Sequence, residues 1–186
     1  MTLNLKIESS KNLTLMIEVL QPRTLERAQR DGLVYAGRAG KTTMAKEIGQ
    51  RYSLTAARIK QDISNPFVNP SRAELSIVFK RKPPSAIAYG GRDGGKGLTM
   101  TVFRGERTKI QRGFIVTAGK LKGKPFKRRG KSRKPIDFVY GPSIGSIALG
   151  KGKFSEEIIT AGMDRIQEQY MKGVDRALAA IARRGT

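Results

Sequence analysis

Apolar residues recur every three or four positions in two long stretches of the chain, a period typical of amphipathic helices. The first stretch begins at Pro22, a residue suited to the first turn of a helix, and continues to Ile48. It predicts a helix of about 27 residues, roughly 40 Å long at 1.5 Å per residue. Its apolar and small-residue face consists of Leu25, Ala28, Gly32, Leu33, Ala36, Gly40, Thr43, Met44 and Ile48.

The second stretch predicts a long C-terminal helix that Ser155 caps. Two glutamates follow in its first turn, and Arg183 and Arg184 lie at its end, the signs that the helix dipole favours. Its predicted buried face consists of Ile159, Gly162, Met163, Ile166, Tyr170, Gly173, Val174, Ala177, Leu178 and Ile181. From both long helices, the residues expected to pack internally or between subunits are Leu25, Leu33, Met44, Ile48, Ile159, Ile166, Tyr170, Val174 and Leu178.

Shorter elements are predicted before the first long helix and between the two long helices. A second helix is expected at residues 54–63, with Ser53 as its N-cap and an Asn-Pro pair ending it. Alternation of apolar and polar residues predicts strands at residues 3–8 and 72–80. Residues 98–103 are expected to form a strand with threonine facing one side, whereas residues 13–20 suit either a strand or a short helix. The glycine-rich segment 90–97 predicts a mobile loop.

The middle of the chain predicts a hairpin with an unusually basic loop. Residues 113–116 and 135–140 are short apolar runs suited to strands, and a Gly-Pro-Ser turn follows at residues 141–143. The loop between them, residues 119–134, contains no acidic residue and nine basic ones: Lys120, Lys122, Lys124, Lys127, Arg128, Arg129, Lys131, Arg133 and Lys134.

The order of helices, then strands, then a helix predicts an α+β fold, with long N- and C-terminal helices packed on an antiparallel sheet. We expect an N-terminal arm at residues 1–20 and a single domain at residues 21–186. The chain has 186 residues, and its apolar content of 38% is enough for a hydrophobic core.

The net charge and the absence of two residue types limit the functional classes that this chain can belong to. Lys and Arg outnumber Asp and Glu by 37 to 15, so the partners expected are nucleic acid, an anionic surface or acidic protein faces. The chain contains no Cys and no His, which excludes disulfides, thiol nucleophiles, Ser-His-Asp triads and zinc sites with nitrogen or sulfur ligands. The acids are scattered and no nucleophile has a partner base. We therefore expect no enzyme, no cofactor and no metal.

Membrane association is not expected from the sequence either. No run approaches the ~18 apolar residues that a membrane span needs. The N-terminal segment has charged residues spread through it and lacks the pattern of a secretory signal, which favours synthesis in a reducing cytoplasm.

The segment GRAGKT at residues 37–42 looks like the end of a phosphate-binding P-loop. The full motif needs a glycine five positions before Gly40, where this chain has Tyr35. The helical period also continues on both sides. We therefore interpret the segment as part of the first helix.

Residues 45–63 resemble a helix-turn-helix, with Gly49 near the turn and Arg58 and Lys60 on the second helix. Such a unit can place its second helix in the major groove of DNA. The alternative is a bent amphipathic helix with a solvated basic face.

The basic loop leaves two hypotheses open. Its cations could neutralise phosphates, each contact adding about −0.9 to the slope of log affinity against log salt. Since Phe126 is its one aromatic residue, base stacking has little support. Alternatively, the loop is solvated and becomes ordered only inside an assembly.

Three stretches together resemble a known family. They are the first helix with its continuation into the basic segment ARIK at residues 57–60, the strand GFI at 113–115, and the basic segment from FKRR at 126–129 to PI at 135–136, followed by GPS. The chain resembles the minor tail protein Z, or tail completion, family of long-tailed bacteriophages. The resemblance extends over residues 22–180, with gaps, and rests on order and spacing.

This resemblance implies a structural virion protein of the tail and neck, made in the host cytoplasm and needed to join the finished tail to the DNA-filled head. It implies a homo-oligomeric ring, with a hexamer expected, that contacts tail terminator, tail tube and head-connector proteins, and genomic DNA in the channel as a further contact. The helices and sheet would form the ring body, and the basic hairpin would dock on an acidic neighbour. The alternatives are a DNA-reading protein that uses residues 45–63 and a nonspecific nucleic-acid binder driven by charge.

Overall fold

The computed structural model describes residues 2–6, 22–69, 74–95, 97–150 and 152–183, with backbone alone at residues 2–6, 22–25 and 181–182. The described helices are α1 (Pro22–Arg51), α2 (Ala56–Asp62), α3 (Ile144–Leu149) and α4 (Ser155–Ala182). The described strands are β1 (Thr2–Lys6), β2 (Phe67–Asn69), β3 (Glu74–Val78), β4 (Arg92–Asp93), β5 (Leu98–Thr101), β6 (Arg107–Ile110), β7 (Gly113–Ile115), β8 (Pro125–Arg128) and β9 (Ile136–Phe138).

The predicted α+β class is confirmed. The strands form three antiparallel sheets of three strands each, in the orders β1-β3-β2, β4-β5-β6 and β7-β8-β9. By backbone contacts the chain divides into two compact units. The first comprises Met1–Ala45, Ile63–Phe79 and Glu156–Thr186, and the second comprises Lys46–Asp62 and Lys80–Ser155.

In the first unit, α1 and α4 approach closely because glycines face each other across the contact. A Cβ added at Gly32 would lie 2.6 Å from a Val174 methyl, and one added at Gly173 would lie 2.9 Å from the Gly32 Cα. One added at Gly162 would overlap the Met44 side chain. The glycines of the predicted apolar face are therefore contact points between helices.

The predicted helix faces are largely confirmed. In the first unit Leu33, Met44, Ile166, Tyr170 and Val174 are buried, and in the second unit Ile48 is buried. Ile159 and Leu178 are half-buried. The predictions for the side chains of Leu25 and Ile181, and for Arg184, lie outside what the structure describes.

One position on the α4 face was predicted wrongly. Met163 is 38% exposed, whereas Ile158, which was not assigned to the buried face, is fully buried. At 100° per residue, Ile158 lies on the same side of the helix as Gly162 and Ile166. The same period places Met163 between the buried residues Tyr170 and Val174, so the helix period does not explain its exposure. The helix begins at Ser155, whose hydroxyl donates to the Gly152 carbonyl oxygen at 2.7 Å.

The segment GRAGKT lies inside α1, as the helical interpretation predicts. The Thr42 hydroxyl donates to the Arg38 carbonyl oxygen at 2.9 Å, one turn earlier. A Cβ added at Gly37 would lie 2.6 Å from Pro66 and 2.8 Å from Leu75, so this glycine lets the helix pack on the sheet.

The sheet of the first unit has β3 at its centre. Leu75, Ile77 and Phe79 are buried, as the alternation predicts. Strand β1 pairs with β3 in the register Leu3 to Ile77, within the predicted N-terminal arm. The remaining predictions for residues 7–8 and 13–20 lie outside the described residues.

The predicted N-cap of α2 was wrong. Ser53 lies before the helix, and its backbone N–H donates to the Val102 carbonyl oxygen at 3.0 Å. The helix starts after Thr55, whose hydroxyl oxygen accepts from the Arg58 N–H at 3.4 Å. The neighbouring Tyr52 forms a β-bridge with Phe103, which holds the chain extended through Ser53.

In the second unit, the sheets β4-β5-β6 and β7-β8-β9 share a small core. Its buried centre is Ala86, Leu98 and Val139, with Met100, Ile110 and Ile115 packed against it. The segment predicted as a mobile loop at residues 90–97 instead contains β4, which pairs with β5. Its Asp93 carboxylate accepts from the N–H groups of Gly95 at 2.9 Å and Ile115 at 3.1 Å, which ties the turn to β7. Strand β5 ends at Thr101, two residues before the predicted end.

Candidate binding surface: a cationic three-stranded sheet

The positive charge of the chain is concentrated in the second unit. That unit contains 24 Lys and Arg against 5 Asp and Glu, whereas the first contains 13 against 10. A charge imbalance of this kind repels other copies of the same surface and attracts polyanions. The second unit is therefore the part of the chain better suited to bind a polyanion.

The predicted hairpin was wrong, because the predicted loop contains a strand. Residues 125–128 form β8, which pairs with β7 on one side and with β9 on the other. Strands β7 and β9 therefore flank β8 and do not pair with each other. The basic segment is an ordered part of an antiparallel sheet, which we call the cationic sheet (β7, β8 and β9 with their two connecting loops).

The extra strand divides the cations between two loops at opposite ends of the cationic sheet. The first loop joins β7 to β8, closed by the Gly123 N–H donating to the Val116 carbonyl oxygen at 2.7 Å. The second joins β8 to β9, closed by the Arg129 N–H donating to the Pro135 carbonyl oxygen at 3.2 Å. Because β8 has four residues, the two loops are about 10 Å apart along the strand direction.

Each loop carries three exposed basic side chains. The first basic cluster consists of Lys120, Lys122 and Lys124. The second basic cluster consists of Lys131, Arg133 and Lys134. Lys127, Arg128 and Arg129, at the end of β8, complete the nine predicted residues and are also exposed.

One acidic residue organises the second loop. The Asp137 carboxylate accepts three hydrogen bonds from the Arg129 guanidinium, at 2.8, 2.8 and 3.0 Å. This hydrogen bonding holds the pKa of the Asp137 carboxyl below its usual value. Within the described part of the chain, Arg129 is the one member of the nine that forms an ion pair. The others remain available to an outside anion.

The two faces of the cationic sheet differ. Cross-strand register places Phe114, Phe126 and Phe138 side by side on one face, with Tyr140 two residues beyond Phe138. The opposite face bears Ile115 and Val139, which belong to the core of the second unit. The phenylalanines therefore lie on the other face, which we call the outer face. On it Phe126 is buried, and Phe114 and Phe138 are half-buried.

The rings on the outer face form a continuous aromatic row. Centroid separations are 6.3 Å from Phe114 to Phe126, 5.2 Å from Phe126 to Phe138 and 4.4 Å from Phe138 to Tyr140. The Arg128 guanidinium lies 5.3 Å from the Phe114 centroid, a cation–π distance. Tyr140, at the other end, is 50% exposed. The sequence prediction counted Phe126 alone, because strand pairing and not the local pattern brings Phe114 and Phe138 beside it.

The Gly-Pro-Ser segment after β9 is held by Tyr89. The buried Tyr89 hydroxyl donates to the Pro142 carbonyl oxygen at 2.5 Å, and any side chain at Gly141 would overlap the Tyr89 ring. Burial raises the pKa of Tyr89 above its usual value. Ser143 then caps α3 by accepting from the Ser146 N–H at 3.1 Å. This segment fixes the exit of β9, and with it the position of Tyr140.

Of the two basic residues expected to read DNA in the helix-turn-helix interpretation, Arg58 forms an ion pair within the protein. The Arg58 guanidinium donates to the buried Asp62 carboxylate at 2.8 Å, and the Lys80 ammonium lies 3.6 Å from its other oxygen. Lys60 is exposed. Gly49 lies within α1, and residues 52–55 connect α1 to α2.

Among the described residues, no group of three or more His, Cys, Asp or Glu side chains could hold a metal ion. None of the described helices is long and apolar enough to span a membrane. No protein-family model, curated protein or solved structure matches the chain.

Proposed function

We propose that this protein is a structural subunit of a bacteriophage head–tail junction, a tail-completion or neck protein that docks through its cationic sheet. The observation that carries the proposal is the ordered presentation of nine exposed cations, at the end of β8 and in the two loops of the cationic sheet, with one carboxylate among them. The family resemblance of the sequence supplies the biological setting. Neither a catalytic residue nor a cofactor enters the proposal.

The uneven charge of the two units supports different roles for them in the assembly. The first unit is close to neutral and is built on two helices of 30 and 28 residues, so it suits contacts between copies in a ring. The second unit is strongly basic and would repel its own copies until an anionic partner neutralises it. Premature self-association through the cationic sheet is thereby disfavoured, which suits an ordered assembly.

The partners proposed follow from the same setting. The ring, with six subunits as the working number, would contact tail terminator, tail tube and head-connector proteins in the virion. An acidic face on one of them would receive the cationic sheet. Genomic DNA in the channel is the other polyanion within this proposal.

Charge reversal in each basic cluster tests the proposal. One variant combines Lys120→Glu, Lys122→Glu and Lys124→Glu; the other combines Lys131→Glu, Arg133→Glu and Lys134→Glu. A matched control reverses three exposed cations on β4 and β6 of the same unit with Arg92→Glu, Arg107→Glu and Lys109→Glu. Each protein is added to phage tails that lack the native protein, and infectious particles are counted after heads are supplied.

We expect at least one cluster variant to keep its circular dichroism spectrum and lose joining, while the control joins normally. Normal joining by both cluster variants would remove the cationic sheet from the mechanism. Equal loss in the control would show that net charge alone matters. Joining that fails even with the wild-type protein would refute the phage function.

A nonspecific nucleic-acid binder is the second candidate, favoured by the 24 cations of the second unit. It predicts a monomer whose binding to any duplex falls steeply with salt. A ring that completes tails distinguishes the first function from this one.

A further inference from the structure

We propose that the outer face of the cationic sheet binds single-stranded nucleic acid, with a base stacked on Tyr140 at the exposed end of the aromatic row and phosphates held by the basic clusters. This inference goes beyond the head–tail function and does not depend on it. It rests on the arrangement of rings and cations, which the sequence did not reveal.

The first support is Tyr140, the exposed end of the aromatic row, whereas Phe126 at the centre of the row is buried and Phe114 and Phe138 are half-buried. The row crosses all three strands through the registered pairs of Phe114 with Phe126 and Phe126 with Phe138. At its β9 end, Tyr140 stacks on Phe138 with an interplanar angle of 30°, and Ile136 on the same strand is 36% exposed. An aromatic ring that is half exposed offers a stacking platform, and every base has a face that can use it.

The second support is the position of the cations relative to the row. The two basic clusters lie at opposite ends of the strands, and the row crosses the sheet between them. Arg128 lies on the row itself, over Phe114. A strand with a base on Tyr140 would therefore have cations at both ends of the sheet to contact its phosphates.

The charge also decides between possible occupants. A second copy of this unit would bring a further 24 cations against 5 acids to the surface, so self-docking is opposed by repulsion. The occupant must be anionic along its length and must carry a flat apolar group that can stack on Tyr140. Single-stranded nucleic acid meets both requirements, whereas the bases of a duplex are stacked on each other and cannot reach the rings.

Fluorescence anisotropy with the full chain tests this inference. The probes are a labelled oligothymidylate of about 20 nucleotides, longer than typical site sizes, and a duplex of the same length. We compare the wild type with Tyr140→Ala and Tyr140→Phe. The control Phe67→Ala removes a 69% exposed aromatic side chain from β2 in the first unit. Circular dichroism checks that each variant is folded.

We expect the wild type to prefer the single strand. Tyr140→Ala should lose about 5- to 150-fold in single-strand affinity, the effect of losing one stacked base, with duplex affinity unchanged. Tyr140→Phe and Phe67→Ala should retain single-strand affinity. Equal affinity for single strand and duplex, or equal loss on both probes in Tyr140→Ala, would overturn the inference. Displacement of the single strand by polyglutamate at the same charge concentration would instead identify a site for acidic protein.

Discussion

The Arg129 guanidinium donates three hydrogen bonds to the Asp137 carboxylate across the base of the second loop. Together with the hydrogen bond from the Arg129 N–H to the Pro135 carbonyl oxygen, this ion pair closes a loop that carries three unpaired cations. One carboxylate therefore organises the second basic cluster without neutralising it.

Replacing this carboxylate should loosen the loop without unfolding the protein. We expect Asp137→Asn to increase amide exchange at Arg129, measured by NMR, and to leave the melting temperature nearly unchanged because the pair is at the surface. The control Glu168→Gln removes a carboxylate paired with Arg165 and Lys172 on α4 and should not affect exchange at Arg129. Unchanged exchange at Arg129 in Asp137→Asn would contradict the organising role.

The ion pair between Arg129 and Asp137 should be lost only in strong acid. Because the folded pKa of Asp137 lies below the ordinary value of 3.8, the ion pair is complete above that value and is lost as the pH falls through the folded pKa. The Arg129 Nε–H resonance should therefore stay constant from neutral pH down to about pH 4 and shift only in stronger acid. A shift near neutral pH would argue against the pair.

The close approach of α1 and α4 predicts a large effect from one methyl group. Gly173→Ala would place its Cβ 2.9 Å from the Gly32 Cα and 3.0 Å from the Gly32 carbonyl oxygen, and both atoms belong to the backbone. We expect a loss of about 1–3 kcal/mol in the free energy of unfolding, as for overpacked cores. Urea denaturation measures it.

Gly49→Ala is the matched control within α1. Its Cβ would lie 3.6 Å from an Ile59 methyl, an ordinary contact, so only helix propensity changes. We expect a gain of up to about 1 kcal/mol. If Gly173→Ala and Gly49→Ala change the free energy of unfolding by the same amount and in the same direction, Gly173 is not needed for close packing of the two helices.

Tyr89 predicts sensitivity to alkaline pH. Its folded pKa is raised above the ordinary 10.0 by burial, so the stability it contributes is complete below that pH and is lost as the pH rises further. Tyr89→Phe should cost about 0.5–1.5 kcal/mol at neutral pH through the lost hydrogen bond to Pro142. It should also reduce the loss of stability above about pH 10. The control Tyr140→Phe, at an exposed tyrosine without this hydrogen bond, should leave the free energy of unfolding at neutral pH unchanged in urea denaturation.

The buried Asp62 predicts that Arg58 matters for stability. Arg58→Ala leaves this carboxylate with the more distant Lys80, and we expect a loss of about 1–3 kcal/mol in the free energy of unfolding. Lys60→Ala, on the exposed side of α2, should be within about 0.5 kcal/mol of the wild type. Thermal denaturation compares the two, and equal stability would show that Arg58 is not required to compensate Asp62.

The long helices could be predicted because their period repeats over many turns, so single errors such as Met163 do not change the outcome. Strand β8 could not be predicted with the same reasoning. It has four residues, its one large apolar side chain is surrounded by cations, and its stability depends on Phe114 and Phe138, each twelve residues away. Such pairing is tertiary information that a local pattern does not contain.

The choice between Ser53 and Thr55 as N-cap illustrates the same limit on a smaller scale. Both residues have the hydroxyl that a cap needs, and both precede a helical stretch. The bridge from Tyr52 to Phe103 decides between them, because it keeps the backbone extended past Ser53. The basic residues of the candidate binding surface could therefore be named from the sequence. Their division into two clusters and the aromatic row could be recognised only from the fold.

Native mass spectrometry of the purified protein, alone and after mixing with phage tails that lack it, tests the central claim most directly. We expect a ring, or addition of the protein to the tail end, and we expect charge reversal in a basic cluster to prevent the addition. A stable monomer that ignores tails and shifts duplex DNA at low salt would contradict it.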